Sequence, residues 1–486
     1  MRRGKDGGNG GPTRRDVLKL GAATLGSVAV AGQSPGAQPA RATERDHRPN
    51  FVIFMTDGQR PDEMSIAGNA IIRTPHMDRI AREGMRFQNA FVVNALCAPG
   101  RASTLTGMYS QKHGVIDNKE RPIASGIPIV SDLLREAGYE VAFCGKSHVK
   151  GSLRDHYWNY YFGYVDQADY FVNTIAEGYD GQIGLNANGR EGVYKGYVDD
   201  VVTSAAVEWL QGRRQKPFCL FLWLYAPHSP FLRPRHDLDL FRDVVIPKPA
   251  SFDDDLKGYP GKPEVFAGAD NKIGTFEWAA TLESVVKNHY ASTMAADDDL
   301  GRVLEVLTRT GKLDDTVVMI TADHGYFLGE WRLVDKRLMH EPSIRIPLAI
   351  RYPKMIKPGF LNDRMALNID IAPTMLELAG LKAPEHTQGR SLVPLIQGND
   401  SDWRKDWLYE YYEYPGWHMV PKNRGVRTER YKLIEYYEAE PKEYELYDLK
   451  TDPGENHNLY GDPTYAELTK ELLRRLEQLR NETGET

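Results

Sequence analysis

Cys97, Pro99 and Arg101 alternate with small residues in Asn94-Ala95-Leu96-Cys97-Ala98-Pro99-Gly100-Arg101-Ala102-Ser103. A thiol beside a rigid turn and a permanent cation has the make-up of a reactive site, whereas the ordinary fate of a lone cysteine is to be a small buried hydrophobe. Four further groups of polar residues carry chemistry: Asp57; Lys146 and His148 in Gly145-Lys146-Ser147-His148; His228 in Ala226-Pro227-His228; and Asp323-His324-Gly325. Asp57, Asp323 and His324 are oxygen and imidazole donors suited to a divalent cation. Arg101, Lys146, His148 and His228 are cations or proton carriers suited to an anionic tetrahedral group. Together they describe a metal-assisted transfer of a phosphoryl or sulfuryl group that still lacks a nucleophile.

Residues so far apart meet only if the fold delivers them to one place. Phe51-Val52-Ile53-Phe54-Met55 is a continuous apolar run of strand length that stops at Thr56-Asp57, as expected of a strand buried on both faces. Tyr139 to Cys144, Phe218 to Leu224 and Val317 to Ile320 repeat the pattern, and each precedes one of the polar groups above. Helical stretches separate them. Thr74-Pro75 opens one with a capping threonine and a proline at the first position, and Gly84 closes it. Ser131 caps another that ends at Gly138, a long one surrounds Asn288 to Thr310, and one begins near Ala102. Strands alternating with helices predict an α/β fold with a mainly parallel sheet covered on both faces. The carboxyl ends of such strands lie along one edge, where ligands bind. Any one of these residues alone reads as a helix cap or a loop histidine; four groups at four strand ends point to a cleft.

At 486 residues the chain exceeds the size at which one core stops growing, so a large domain with a smaller one is expected. A net charge of −6 argues against nucleic acid or a polybasic membrane surface as partner. Cys97, Cys144 and Cys219 are an odd set without metal-finger spacing and imply no disulfide framework; the latter two fall inside predicted strands and read as core. Residues 1–42 read as a twin-arginine export signal. Thr13-Arg14-Arg15-Asp16-Val17-Leu18-Lys19 precedes a modest apolar run, Leu20 to Ala31, and Ala40-Arg41-Ala42 offers a small-x-small cleavage site. The apolar run is too short and too rich in glycine and alanine to span a membrane. A periplasmic or extracellular protein is expected, exported already folded and not membrane-spanning once the signal is removed.

Cys97-x-Pro99-x-Arg101, continued by Ala102-Ser103-Thr104-Leu105-Thr106-Gly107, resembles the signature of the sulfatase family, in which a dedicated enzyme oxidises the cysteine to formylglycine before folding. Gly145-Lys146-Ser147-His148, Ala226-Pro227-His228-Ser229-Pro230-Phe231 and Thr321-Ala322-Asp323-His324-Gly325 are similar to further family motifs. So is the run from Leu328-Gly329-Glu330 through Lys336-Arg337 to Glu341-Pro342-Ser343-Ile344-Arg345-Ile346-Pro347-Leu348. The resemblance implies an alkaline-phosphatase-like fold: a large mixed, mainly parallel sheet sandwiched by helices over residues 43–385, and a C-terminal subdomain of antiparallel sheet plus helix over 386–486. It implies a sulfate-ester hydrolase whose residue 97 is hydrated to a geminal diol. One hydroxyl ligates the cation and attacks sulfur, and the other then expels sulfate. Arg101 and Lys146 would hold the diol, His148 would take the proton that triggers sulfate release, and His228 and Lys336 would bind the sulfate and assist the leaving oxygen. Asp57, residue 97, Asp323 and His324 would hold one divalent cation, calcium being usual and magnesium or manganese compatible with His324. A formylglycine-generating enzyme and the twin-arginine machinery are the implied partners. Gly58 and Gly100 stand where a second aspartate and a serine are commoner, so that a ligand is lost at 58 or Gln59 compensates. Ser147 replaces a usual tryptophan and His340 a frequent tyrosine.

Elsewhere, Asp253-Asp254-Asp255 and Asp297-Asp298-Asp299 read as solvated surface. Tyr157 to Phe162 reads as packing aromatics, with stacking on a sugar the alternative. Beyond Gly380 the periodicity breaks; Trp407 to Leu449 alternates aromatic and polar residues as a small antiparallel sheet does, and Tyr465 to Leu479 carries leucines at helical spacing. By the resemblance this part lines the substrate side of the cleft, with His418, Arg424 and Arg427 as candidate contacts beyond the sulfate. The segments Met339 to Tyr352 and Gly425-Val426-Arg427-Thr428 look most like members acting on sulfated sugars, amino-sugar or glycosaminoglycan-type. An arylsulfatase, choline sulfatase, or phosphonate monoester or phosphodiester hydrolase on the same core remains an alternative, as does a non-catalytic glycan-binding protein with an unmodified Cys97.

Overall fold

The apolar runs become the centre of one large sheet. In the computed structural model its strands and a small ribbon are β1 (Asn50–Thr56), β2 (Met85–Phe91), β3 (Glu140–Lys146), β4 (Tyr160–Tyr164), β5 (Gln182–Ala187), β6 (Arg190–Lys195), β7 (Phe218–Trp223), β8 (Thr316–Ala322), β9 (Phe327–Leu328), β10 (Val334–Asp335), β11 (Leu348–Arg351) and β12 (Phe360–Leu367). The structure describes residues 48–486 apart from 120, 150–157, 169, 171–181, 189, 233, 235–239, 254–262, 265–267, 485 and 486. The twin-arginine segment, Tyr157, Asp254 and Asp255 lie outside the described residues.

The sheet order is β12-β2-β11-β8-β1-β7-β3-β4-β5-β6, and β9 pairs only with β10. Following the pairings across, β11 and β5 run against the other eight strands. Successive side chains of the central strands serve two cores, as a period of two requires. Phe51, Ile53, Met55, Val317 and Met319 join the core on one face; Val52, Phe54, Val318 and Ile320 join the other. Every residue of β7 and β8 is buried, and each large apolar side chain so placed contributes roughly 1.5–3 kcal/mol.

Helices α1 (Pro75–Glu83), α2 (Cys97–Thr106), α3 (Val198–Gln211) and α4 (Leu282–Arg309) divide between the faces. Met77, Ile80, Val202, Leu210, Leu300 and Leu304 from α1, α3 and α4 cover one. Ala98, Ala102 and Leu105 of α2 sit on the other. There they share a core with a four-stranded antiparallel sheet in the order β13 (Asp406–Tyr411), β14 (Asn423–Thr428), β15 (Tyr431–Tyr436), β16 (Glu443–Asp448), and with the terminal helix α5 (Ala466–Thr483). No helix of the described residues is long and apolar enough to cross a membrane.

Four local expectations are corrected. Helix α2 begins at Cys97 rather than near Ala102, since Leu96 is extended (φ −146°, ψ 142°) and Pro99 falls in the first turn, where its missing N–H leaves nothing unsatisfied. The helix assigned to a Ser131 cap starts at Val130 with Ile129 at its N-cap. Thr74 stands at the N-cap of α1 without capping its amides. Asp297 of α4 does that instead, accepting from His76 N at 3.1 Å and Met77 N at 2.7 Å. The triplet 297–299 is accordingly not solvated surface: Asp297 and Asp299 are buried and Asp298 alone is exposed. The aromatic segment packs, with Trp158 and Tyr161 at 5.4 and 5.6 Å from the Phe143 ring.

Candidate active site

Adjacent parallel strands end side by side, and this is what assembles the site. Thr56 pairs with Ala322, so Asp57 and Asp323 leave neighbouring strands at the same level. Lys146 is the last residue of β3, two strands from β1. Beyond β7 the chain folds back over β1: Leu224 N donates to Met55 O at 2.8 Å, and Asp57 N donates to Ala226 O at 3.0 Å, which brings His228 over the same edge. Helix α2 points its N-terminus, and hence Cys97, at this edge. Asp57, Cys97, Arg101, Lys146, Asp323 and His324 are all fully buried.

One donor from each of Asp57, Cys97, Asp323 and His324 lies within 4.8 Å of the others. His324 donates Nδ1–H to Gly325 O at 2.8 Å, which turns Nε2 toward the group, 3.5 Å from Asp57 Oδ1, 3.4 Å from Asp323 Oδ1 and 3.4 Å from Cys97 Sγ. Burial lowers its pKa, but Asp323 outweighs this and holds it at about 9. That preference for positive charge at Nε2, with two carboxylates facing it, is what a divalent cation would satisfy. Arg101 ties the carboxylates together through Nη2–Asp57 Oδ2 (2.9 Å) and Nε–Asp323 Oδ2 (2.8 Å), and Lys146 Nζ lies 2.5 Å from Asp57 Oδ2. Burial pushes the Asp57 carboxyl up, yet Lys146, His228 and Arg101 bring it well below the usual range; burial and Asp57 together raise Asp323. Burial and Asp57 also raise the Cys97 thiol, and Lys336, Lys146 and His324 overcome them, leaving it well below an ordinary thiol.

A second set of groups faces a cavity of about 640 Å³ that contains His148, His228 and Lys336 in its lining. His228 donates Nδ1–H to Ser229 O at 2.6 Å and stacks on the Tyr225 ring at 4.9 Å, so its Nε2 faces Lys336 Nζ at 3.4 Å. Burial and the charges of Lys146 and Lys336 depress its pKa. Lys336 is held charged against burial by Asp335, 3.2 Å away. His148 has a buried Nδ1 with no hydrogen-bond partner among the described residues, and burial with Lys146 lowers its pKa. Fixed cations here can bind a tetrahedral anion, and the neutral imidazoles beside them can accept and relay protons.

Of the remaining sequence candidates, His418 lines this cavity, with Nε2 3.3 Å from Asp335 Oδ2 and Nδ1 3.4 Å from Asp270 Oδ1. Arg424 and Arg427 lie apart from it, paired with Glu435 (2.6 Å) and Glu341 (3.1 Å). Gln59 does not replace the missing second aspartate. Gly58, at φ +87°, turns the chain so that the Gln59 amide accepts from Thr56 Oγ1 at 2.8 Å and donates to Met77 Sδ at 3.3 Å, on the far side of β1. Sequence reasoning missed Gln167, which accepts from Lys146 Nζ at 2.7 Å, and Asn118, which accepts from Ala98 N at 3.0 Å. Asp335 and Arg337 were within its reach, since both adjoin Lys336.

Residues 49–381 match the sulfatase family model. The chain belongs to the sulfatase family. It is thus a sulfuric ester hydrolase on an alkaline-phosphatase-like scaffold. Residues 329–482 of this sulfatase also match the model for the C-terminal part of N-sulphoglucosamine sulphohydrolase. It is 34% identical to an N-acetylglucosamine-6-O-sulfatase of Bacteroides thetaiotaomicron, over 90% of this chain and 87% of that one. A solved structure in complex with its substrate D-glucosamine-2-N,6-O-disulfate superposes with a TM-score of 0.81 at 32% identity, covering 90% and 98% of the two chains. The phosphonate monoester hydrolase of Agrobacterium radiobacter shares the fold, with a TM-score of 0.73 at 22% identity over 90% and 96%.

Proposed function

We propose that this sulfatase removes a sulfate ester from an amino sugar of glycosaminoglycan type, using a formylglycine made from Cys97 and one divalent cation. The position of Cys97 Sγ carries the reading. It lies 3.4 Å from His324 Nε2 and 3.8 Å from Asp57 Oδ1, and Lys336, which lines the cavity, depresses its pKa together with Lys146. A group there meets the cation site and the anion site at once. The relatives named for N-acetylglucosamine 6-sulfate and glucosamine disulfate support the sugar.

Asp57, Asp323, His324 and residue 97 would hold the cation, and their hard oxygen donors favour calcium. When bound, it supplies Lewis-acid polarisation of oxygens on residue 97 and on sulfate. A hydrated aldehyde at residue 97 would supply one oxygen to attack sulfur as the sugar oxygen leaves, and a second whose deprotonation would expel sulfate and restore the aldehyde. Arg101 keeps the two carboxylates at fixed separation, and Lys146, steadied by Gln167, offsets the Asp57 charge. His148, whose ring meets the residue 97 side chain, accepts the proton. Lys336, charged through Asp335 and donating to the unprotonated His228 Nε2, binds sulfate oxygens and gives the proton that the departing sugar oxygen takes, with His228 positioning it. Loss of one such donor costs roughly 10²–10³ in turnover.

The same reading keeps a catalytic domain over 43–385, a substrate-side subdomain over 386–486, maturation by a formylglycine-generating enzyme, and export through Arg14-Arg15. Steady-state kinetics on 6-sulfated glucosamine, 4-nitrophenyl sulfate and an aryl phosphonate test the assignment. The sugar sulfate is expected to give the highest kcat/KM; preference for the phosphorus ester would overturn it.

A further inference from the structure

The cavity above Lys336 is of a size that takes ligands of drug dimensions and leaves room beyond a single sugar ring. Its rim carries Trp417, which at 85% exposure is the most exposed large hydrophobic side chain among the described residues. A tryptophan left in water forgoes the burial of a large apolar area, so packing does not account for its position.

The segment that carries it is anchored on both sides. His418, buried next to it, sits between Asp335 and Asp270, and Met419 N donates to Asp270 Oδ1 at 2.9 Å. On the other side Gly416 passes so near Glu413 that a β-carbon would lie 2.4 Å from Oε1. Glu413 Oε2 accepts from Asn118 N at 2.9 Å, and Asn118 accepts from the amide of Ala98, beside Cys97. The backbone that carries the indole is therefore tied, through Glu413 and Asn118, to the turn that carries residue 97. The cavity is also lined by Lys119, an exposed side chain whose ammonium has no acidic partner among the described residues.

We propose that Trp417 and Lys119 form a second subsite, which binds the sugar next to the sulfated one. The indole face stacks on the apolar face of a pyranose ring, and the ammonium takes a carboxylate or sulfate on that ring. This rests on the reading of the enzyme as an amino-sugar sulfatase, and it makes an acidic disaccharide a better substrate than the sulfated monosaccharide alone.

The experiment compares kcat/KM of the matured full chain on glucosamine 6-sulfate, on a disaccharide joining it to a uronic acid, and on one joining it to a neutral hexose. The acidic disaccharide is expected to exceed the monosaccharide by about tenfold, in line with a stacked ring and one ion pair. Trp417→Ala should abolish that ratio through KM, Trp417→Phe should keep most of it, and Lys119→Ala should lower it for the acidic disaccharide alone. A ratio unmoved by Trp417→Ala, with the monosaccharide still hydrolysed, would overturn the subsite and leave the amino-sugar reading standing. Failure of the unaltered enzyme on all three sugars, with an aryl sulfate cleaved, would overturn both.

Discussion

A β-carbon on Gly100 would stand 2.5 Å from the carbonyl oxygen of Asp323, so α2 packs backbone against backbone on the strand end that carries a carboxylate of the buried Asp57, Cys97, Asp323 and His324 cluster. Asn368 Nδ2 fixes the same turn by donating to Gly100 O at 3.0 Å. The serine commoner at this place in the family signature cannot be added without moving one backbone off the other. Gly100→Ser is expected to leave the conversion of residue 97 at least as complete, read by peptide mass, while weakening calcium binding about tenfold or more, read by titration calorimetry. Equal calcium affinity in both proteins would show that the approach of α2 to Asp323 does not set the site.

Asp199, at the start of α3, reaches the loop that carries His228. Its two carboxylate oxygens accept from Tyr225 N and Ala226 N, both at 2.8 Å. Tyr225 supports the His228 ring and lies 5.0 Å beneath Lys146 Nζ, and Ala226 O receives the amide of Asp57. An asparagine can accept at one oxygen but presents an NH₂ group to the second amide. Asp199→Asn should therefore shift His228 and cut kcat on a sugar sulfate by about 10²-fold. The loss should be several-fold smaller on 4-nitrophenyl sulfate, whose leaving oxygen needs no proton. Equal losses on the two substrates would mean that Asp199 acts on folding alone.

Asp297 gives a pH signature away from the site. Burial pushes its carboxyl from 3.8 to about 7 against the two amides it caps. The folded state thus binds this proton more tightly than the unfolded state. The contribution is fully present below about pH 4 and is lost as pH rises through about 7. The stability difference between the unaltered chain and Asp297→Asn, from urea midpoints, should shift against the unaltered chain by about 2–4 kcal/mol between pH 4 and 8. A difference that does not change with pH would contradict the raised pKa.

The strand ends were legible because β1, β7 and β8 are covered on both faces, which leaves unbroken apolar runs whose last residue announces the edge. Everything set by long-range contact was not. Asp297 reads as surface from its own helix, since nothing local says that the N-terminus of α1 lies against it. Arg424 and Arg427 look available for a substrate until the register of β14 against β15 places Glu435 opposite Arg424. Gln59 looks like a spare ligand until the left-handed turn at Gly58 aims it at Met77. Gln167, Asn118 and Asp199 are unremarkable in sequence, because their importance lies in which amide or ammonium they meet.

The mass of the peptide carrying residue 97, measured in protein that turns over sulfate esters, tests the central claim most directly. An aldehyde at 97 in the active fraction is expected, with Cys97→Ala losing roughly 10³-fold or more in kcat. A free thiol at 97 in fully active protein would contradict it.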